Sequence, residues 1–153
     1  EIFRKSHELL VLLDDDRITE AEEVHEDLSP FEANQRIIAS TSRVASSRRL
    51  TAQATATDWD LVVVDEAHHL RWSQEGGGNP AYRLVERLAS KTRHLLLLTA
   101  TPMALDPAEY HALLRLLDSE RFDDPTRFGV VRERVAAICT AARSGRPSGS
   151  RRK

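Results

Sequence analysis

The chain has 153 residues, 41 % of them hydrophobic and 30 % charged, with a net charge of −2, a balance that fits one soluble globular domain with a real core. No run of 18 or more apolar residues occurs, which excludes a helix long enough to span a membrane. The single cysteine, Cys139, excludes an intramolecular disulfide and points to a reducing, cytoplasmic setting.

The N-terminus lacks the charged and apolar regions of a secretory signal. Its opening Glu1-Ile2-Phe3, without an initiator Met, is what a fragment would show. Charge is unevenly spread. Eight acids and one base, Arg17, fall between Asp14 and Asp27, and this run reads as a solvated loop or helix face. Seven bases and one acid follow from Arg132 to the end. The linker-like stretch Ser144 to Ser150 makes a disordered end the simpler reading of that tail, with nucleic-acid contact the alternative.

In chain order, the first apolar run is Leu9–Leu13 and the second Arg36–Ala39. A helix is predicted over Thr41–Ala54, with Ser40 or Thr41 as its N-cap. A third apolar run, Leu61–Val64, follows, and then a flexible surface loop at Gly76-Gly77-Gly78-Asn79-Pro80. Helical spacing of Ala81, Leu84, Val85 and Leu88 predicts a helix over Ala81–Ala89. The fourth apolar run is Leu95–Leu98. Asp106-Pro107-Ala108-Glu109 then combines an N-cap, a first-turn proline and a first-turn acid. It opens a helix whose apolar face is expected to be Tyr110, Leu113, Leu114 and Leu117. Continuous rather than alternating apolar character suggests strands covered on both faces. Strands alternating with helices imply an α/β fold with a mainly parallel sheet flanked by helices.

Ligands of open α/β sheets bind beyond the carboxyl ends of the strands. Two polar clusters sit at such ends. Leu61–Val64 runs into Asp65-Glu66-Ala67-His68-His69, and Leu95–Leu98 into Thr99-Ala100-Thr101-Pro102. An Asp at the tip of a buried strand can hold Mg²⁺, often through water, and so neutralise a transferring phosphoryl group. The adjacent Glu can orient or deprotonate the attacking water. His68 can relay the state of that site to Thr99 and Thr101. Two other readings compete: an acidic pair favoured by a helix N-terminus, and a zinc site on His68-His69, for which spacing suggests no third ligand. His7, His25, His94 and His111 read as ordinary surface or core residues, and Trp59 and Trp72 as packing residues rather than base-stacking ones.

At these residues the chain resembles superfamily 2 helicases. Asp65-Glu66-Ala67-His68 matches their motif II (the DEAH box) and Thr99-Ala100-Thr101 their motif III. The longer strings Trp59 to Leu70, Trp72-Ser73, Leu95 to Pro102, Leu114 to Asp118 and Arg121-Phe122 are similar to the bacterial SNF2-type ATPases, in particular those associated with RNA polymerase. The likeness runs from about Leu9 to Phe128. It implies that residues 1–128 are part of a RecA-like (P-loop NTPase) ATP-binding domain; it fades after Phe128, and 129–153 are read from their composition as a basic tail, helical and then disordered. It also implies ATP and Mg²⁺ as cofactors and translocation on nucleic acid, duplex DNA foremost. RNA polymerase is an implied partner through regions outside this chain. By position, Asp65 would be the Mg²⁺-associated acid and Glu66 the catalytic base. Asp65, Glu66 and His68 would contact the nucleotide. His68, Thr99, Ala100 and Thr101 would couple the ATP site to nucleic acid, and Ser40 and Thr41 would touch the phosphate backbone.

A phosphate-binding loop requires Gly-x-x-x-x-Gly-Lys-[Ser/Thr]. None of the six glycines (76, 77, 78, 129, 145 and 149) precedes a lysine. The chain is therefore expected to lack the phosphate-loop strand and the second motor domain. It is then expected to be inactive alone and to expose His94–Leu98 as a self-associating sheet edge. Other readings are a degenerate, non-catalytic module that binds nucleic acid or polymerase, and a defence or restriction-type helicase of the same superfamily.

Overall fold

The computed structural model describes residues 10–14, 16–19, 29–100 and 106–124. Thr101, Cys139, most of the acidic run and the whole basic tail lie outside them. Four of the strands fall on the four apolar runs: β1 (Val11–Leu13), β2 (Ile37–Ala39), β3 (Leu61–Val64) and β6 (His94–Leu97). β1 pairs with β2, and β3 with β6, both in parallel. The parallel α/β character is therefore present. It takes the form of two separate two-stranded pairs instead of one continuous sheet. A cavity of about 150 Å³ lies between them, lined by Ile37 and Ala39 of β2 on one side and Leu61 to Val64 of β3 on the other.

The helix expected over Thr41–Ala54 is two helices, α1 (Thr41–Ser46) and α2 (Arg48–Ala56). Ser47 breaks them apart. Its backbone is extended, at φ −104° and ψ 120°, its N–H closes α1 on Val44 O, and its Oγ accepts from Leu50 N to start α2. Serine offers the backbone such alternatives to a continuous helix, which an apolar-periodicity argument does not register.

The glycine run is not a free loop. Gly77–Gly78 forms β5, antiparallel to β4 (Trp72–Ser73), with Trp72 opposite Gly78. Gly77 has a φ of +67°, the left-handed region that glycine enters without strain. Gly78 is required for a different reason: a Cβ there would stand 2.2 Å from Cδ1 of the Tyr82 ring. Asn79 and Pro80, read as loop, are the N-cap and first residue of α3 (Pro80–Ala89), with Asn79 Oδ1 accepting from Tyr82 N at 2.8 Å.

α3 is the wall shared by two apolar clusters. Tyr82 and Val85 pack with Val64, Ala67, Leu70, Ala112, Leu113 and Leu116. Leu84 packs on the other side with Leu13, Ile18, Phe31, Val44, Leu50 and Ala54. Tyr82, absent from the expected face, is 2 % exposed, and its hydroxyl donates to Ala112 O at 3.1 Å. Burial holds the Tyr82 phenol above its ordinary pKa of 10.0; the nearby Glu86 carboxylate raises it further and Arg115 acts in the opposite direction. Trp59 is a packing residue, edge-on to Phe31 with its indole N–H donating to Ala54 O at 2.8 Å. Trp72 packs against the first cluster.

α4 (Pro107–Leu117) starts at Asp106, whose side chain accepts from Ala108 N. Its buried arc is His111, Ala112, Leu113 and Leu116; Leu117 is 49 % exposed, and Tyr110 and Leu114 are half-buried. The expected face is thus displaced toward Ala112, which together with Leu113 and Leu116 packs in the cluster of Tyr82.

β3 and β6 are covered on one face only among the described residues. Val62, Val64, Leu95 and Leu97 belong to the first cluster, whereas Leu61, Val63, Leu96 and Leu98 are exposed. No described strand pairs with the outer edge of β6. Among the described residues no helix is long and apolar enough to cross a membrane.

Candidate nucleotide site at the ends of two parallel strands

Pairing of Val64 with Leu97 brings the ends of β3 and β6 side by side. The two polar clusters that follow are therefore neighbours. Main-chain bonds join them: Leu98 N donates to Val64 O at 2.9 Å, and Ala67 N donates to Leu98 O at 2.8 Å. Ala67 is fully buried, so the turn after Glu66 is seated in the core while the acids before it face outward.

Asp65 is exposed and its Oδ1 accepts from Glu66 N at 2.8 Å, which restrains the carboxylate. Glu66 has φ 51° and ψ 47°, and is the one non-glycine residue with positive φ among the described residues. For an L-residue this conformation costs about 1–2 kcal/mol. It swings the chain sharply off the strand into a 3₁₀ turn, Ala67–His69, and stands Glu66 at the sheet margin beside Asp65. His68 Nδ1 lies 3.0 Å from Glu66 Oε2, close but without hydrogen-bond geometry, and makes no other hydrogen bond among the described residues. The rings of His68 and His69 are 4.2 Å apart.

Thr99 is half-buried and Ala100 exposed just beyond β6; Thr101 lies outside the described residues. Ser40 caps α1, with its Oγ accepting from Arg43 N and lying 3.0 Å from Ser42 Oγ. Thr41, Asp65 and Leu98 line one broad groove between the strand pairs, with Arg36, Asp58 and Asp60 farther along it. The structure thus gathers Asp65, Glu66, His68 and the start of the Thr99 cluster closely, and sets Thr41 across a groove from them.

Among the described residues no group of three or more His, Cys, Asp or Glu side chains is assembled for a metal. Two exposed carboxylates on a rigid strand end suit Mg²⁺, which takes one or two carboxylates and completes its shell with water and substrate phosphate. Zinc would require a closed set of protein ligands.

Three supporting groups were not legible as functional in the sequence. Asn79 Nδ2 donates to His69 O at 3.0 Å. Arg71 Nη1 donates to both carboxylate oxygens of Glu109 at 3.1 Å. Asn79 carried a signal as a helix cap before proline. Glu109 carried one as a first-turn acid; its pairing with Arg71, 38 positions away, carried none.

The chain is 43 % identical over 141 residues to the RNA polymerase-associated protein RapA of Pectobacterium atrosepticum, covering 92 % of this chain and 14 % of that protein. It is 40 % identical over 141 residues to RapA of Vibrio vulnificus strain YJ016, with the same coverages. It is 41 % identical over 128 residues to RapA of Klebsiella pneumoniae, covering 84 % of this chain and 13 % of that one. The chain therefore spans about one seventh of the length of these curated relatives. Residues 5–146 match the SNF2-related domain, and the chain belongs to that family.

Proposed function

We propose that this chain supplies the metal-and-water half of the ATP site in a helicase-like nucleic-acid translocase. Its fold would be that of a RecA-like motor domain over residues 1–128, with 129–153 a basic tail. The observation that carries the reading is the placement of Asp65 and Glu66 together at the exposed end of β3, on a turn pinned by its backbone to the end of β6.

The geometry supports a division of labour. Asp65, held by the Glu66 N–H, presents a fixed carboxylate oxygen where a metal-bound phosphate would approach. Bound there with ATP, Mg²⁺ would supply charge neutralisation on the phosphoryl oxygens. Glu66, turned off the strand, orients a water and accepts its proton. His68 stands against Glu66 and feels any change in the charge of that carboxylate. A shift of the turn reaches Leu98, and so Thr99 and Ala100, through the Ala67 N to Leu98 O bond. Thr101 belongs to the same coupling proposal. Ser40 and Thr41 are proposed as contacts to a nucleic-acid backbone, duplex DNA foremost, across the groove that Thr41 shares with Asp65. RNA polymerase as a partner is carried over from the names of the relatives above, and a cytoplasmic setting from the single cysteine. With no Gly-Lys pair anywhere in its 153 residues, the chain alone is proposed to bind ATP weakly and not to turn it over.

The test is nucleic-acid-stimulated phosphate release by the complete reading frame. Glu66→Gln should lower turnover by a factor of about 10²–10⁴, the usual contribution of a general base, while ATP remains bound. Turnover at the unmodified level would remove Glu66 from the role of base. Absence of stimulated turnover in the unmodified protein would favour a non-catalytic binding module.

A further inference from the structure

We propose that Asn79 is a positioning residue for the catalytic turn, acting through its side-chain amide and separately from its role as a helix cap. The proposal rests on the reading of Asp65 and Glu66 given above. A left-handed Glu66 followed by a three-residue 3₁₀ turn is a poor local minimum. Such a conformation persists only where its surroundings over-determine it. One side of the turn is held by Ala67 N on Leu98 O. Asn79 holds the other side.

Asn79 makes four bonds in two directions. Toward the turn, Nδ2 donates to His69 O at 3.0 Å and its backbone N donates to Arg71 O at 2.9 Å. Toward the helix, Oδ1 accepts from Tyr82 N at 2.8 Å and its backbone O accepts from Arg83 N at 3.0 Å. A helix cap needs only the acceptor. The amide donor to His69 is additional, and it ends one residue from His68. α3 is itself immobilised by Tyr82 and Val85, which are 2 % and 1 % exposed. Asn79 therefore transmits the rigidity of a buried helix to the segment that places Glu66 and His68. Arg71, whose carbonyl Asn79 also binds, is tied onward to Glu109 on α4. The same small segment is thus anchored to the helix that follows the Thr99 cluster.

The two functions of Asn79 can be separated by substitution. Asp and Ser retain a capping oxygen and are as good at the N-cap as Asn; ionised Asp has no donor for His69 O, and the Ser hydroxyl is one bond shorter than the amide that reaches it. In Asn79→Asp and Asn79→Ser the melting temperature should match that of the parent, whereas Asn79→Ala, which loses both functions, should melt lower. Amide exchange of His69 and Leu70, bonded to Glu66 O and Ala67 O, should quicken by about tenfold in both capping variants through local opening, with Val85 and Leu88 unchanged. In the complete reading frame kcat should fall by about tenfold with KM for ATP unchanged, the signature of displaced groups and not of lost substrate binding. Exchange and kcat within twofold of the parent in both variants would overturn the proposal, as would equal melting losses in Asp, Ser and Ala. If Glu66→Gln kept full turnover, the reading of the site would fall instead. The exchange measurement would still decide whether Asn79 holds the turn.

Discussion

The two faces of the β3–β6 pair are built from the same kind of residue and live in different surroundings. On one face Val62, Val64, Leu95 and Leu97 meet α3 and α4 through Tyr82, Val85, Ala112 and Leu113. On the other, Leu61, Val63, Leu96 and Leu98 stand 42–53 % exposed among the described residues. The amino-acid types do not distinguish the faces; only the packing does. The covered face carries the stability, since burying one such aliphatic side chain contributes roughly 1.5–3 kcal/mol. It also roots the turn that presents Asp65 and Glu66, through Ala67 and Leu70.

The sharpest way to break this comparison is to place a charge on each side of one pleat. Val64→Asp buries an unpaired carboxylate at a 5 % exposed position and should cost several kcal/mol, about 3–5, enough to unfold a marginal domain. Its neighbour Val63, 49 % exposed, should accept Asp within about 1 kcal/mol and should reduce self-association along the open face. Urea denaturation and sedimentation of the two variants measure both effects. Equal losses would mean that the two faces are equally covered.

A smaller effect probes how closely the covered side is fitted. Gly78→Ala would drive a methyl group into the Tyr82 ring, which itself is held in the core, and should destabilise by about 1–3 kcal/mol. A neutral substitution would return Gly76 to Gly78 to the status of a loop. The smallest effect concerns Tyr82. Removing its hydroxyl in Tyr82→Phe should cost about 1 kcal/mol near neutral pH, the worth of one buried hydrogen bond. The folded state raises the phenol pKa above 10.0 by burial, so it binds the proton more tightly than the unfolded chain. That stabilisation is complete below pH 10 and is lost as pH rises through the folded value. Alkaline melting curves of parent and Tyr82→Phe should accordingly converge above pH 10. A constant gap would show that the hydroxyl does not titrate with folding.

Much of this was legible in the order of residues. The four apolar runs became β1, β2, β3 and β6 because runs of Val, Ile and Leu have few alternatives to a buried strand. Asp65 and Glu66 were placed at a strand end by the same reasoning, and parallel pairing then put the Thr99 cluster beside them. What escaped notice depends on contacts distant in sequence or on side chains competing for the backbone. Ser47 splits a helix through its own hydroxyl. Gly78 is a strand residue because a tyrosine four positions later lies against it. The buried arc of α4 is set by where Tyr82 reaches Ala112. Arg71 finds Glu109 only once the fold exists. Continuous apolar character also overstated coverage, since it could not say which side of the pair α3 and α4 would occupy.

The backbone at position 66 has a wider implication. In the left-handed region, folding by itself would select glycine, or at most asparagine. A long carboxylate there is disfavoured by the conformation, and its exposed side chain has His68 Nδ1 beside it at 3.0 Å. On the proposed reading, its identity reflects the role of base. Position 66 is a place where the needs of the fold and the needs of the reaction can be told apart within a single residue.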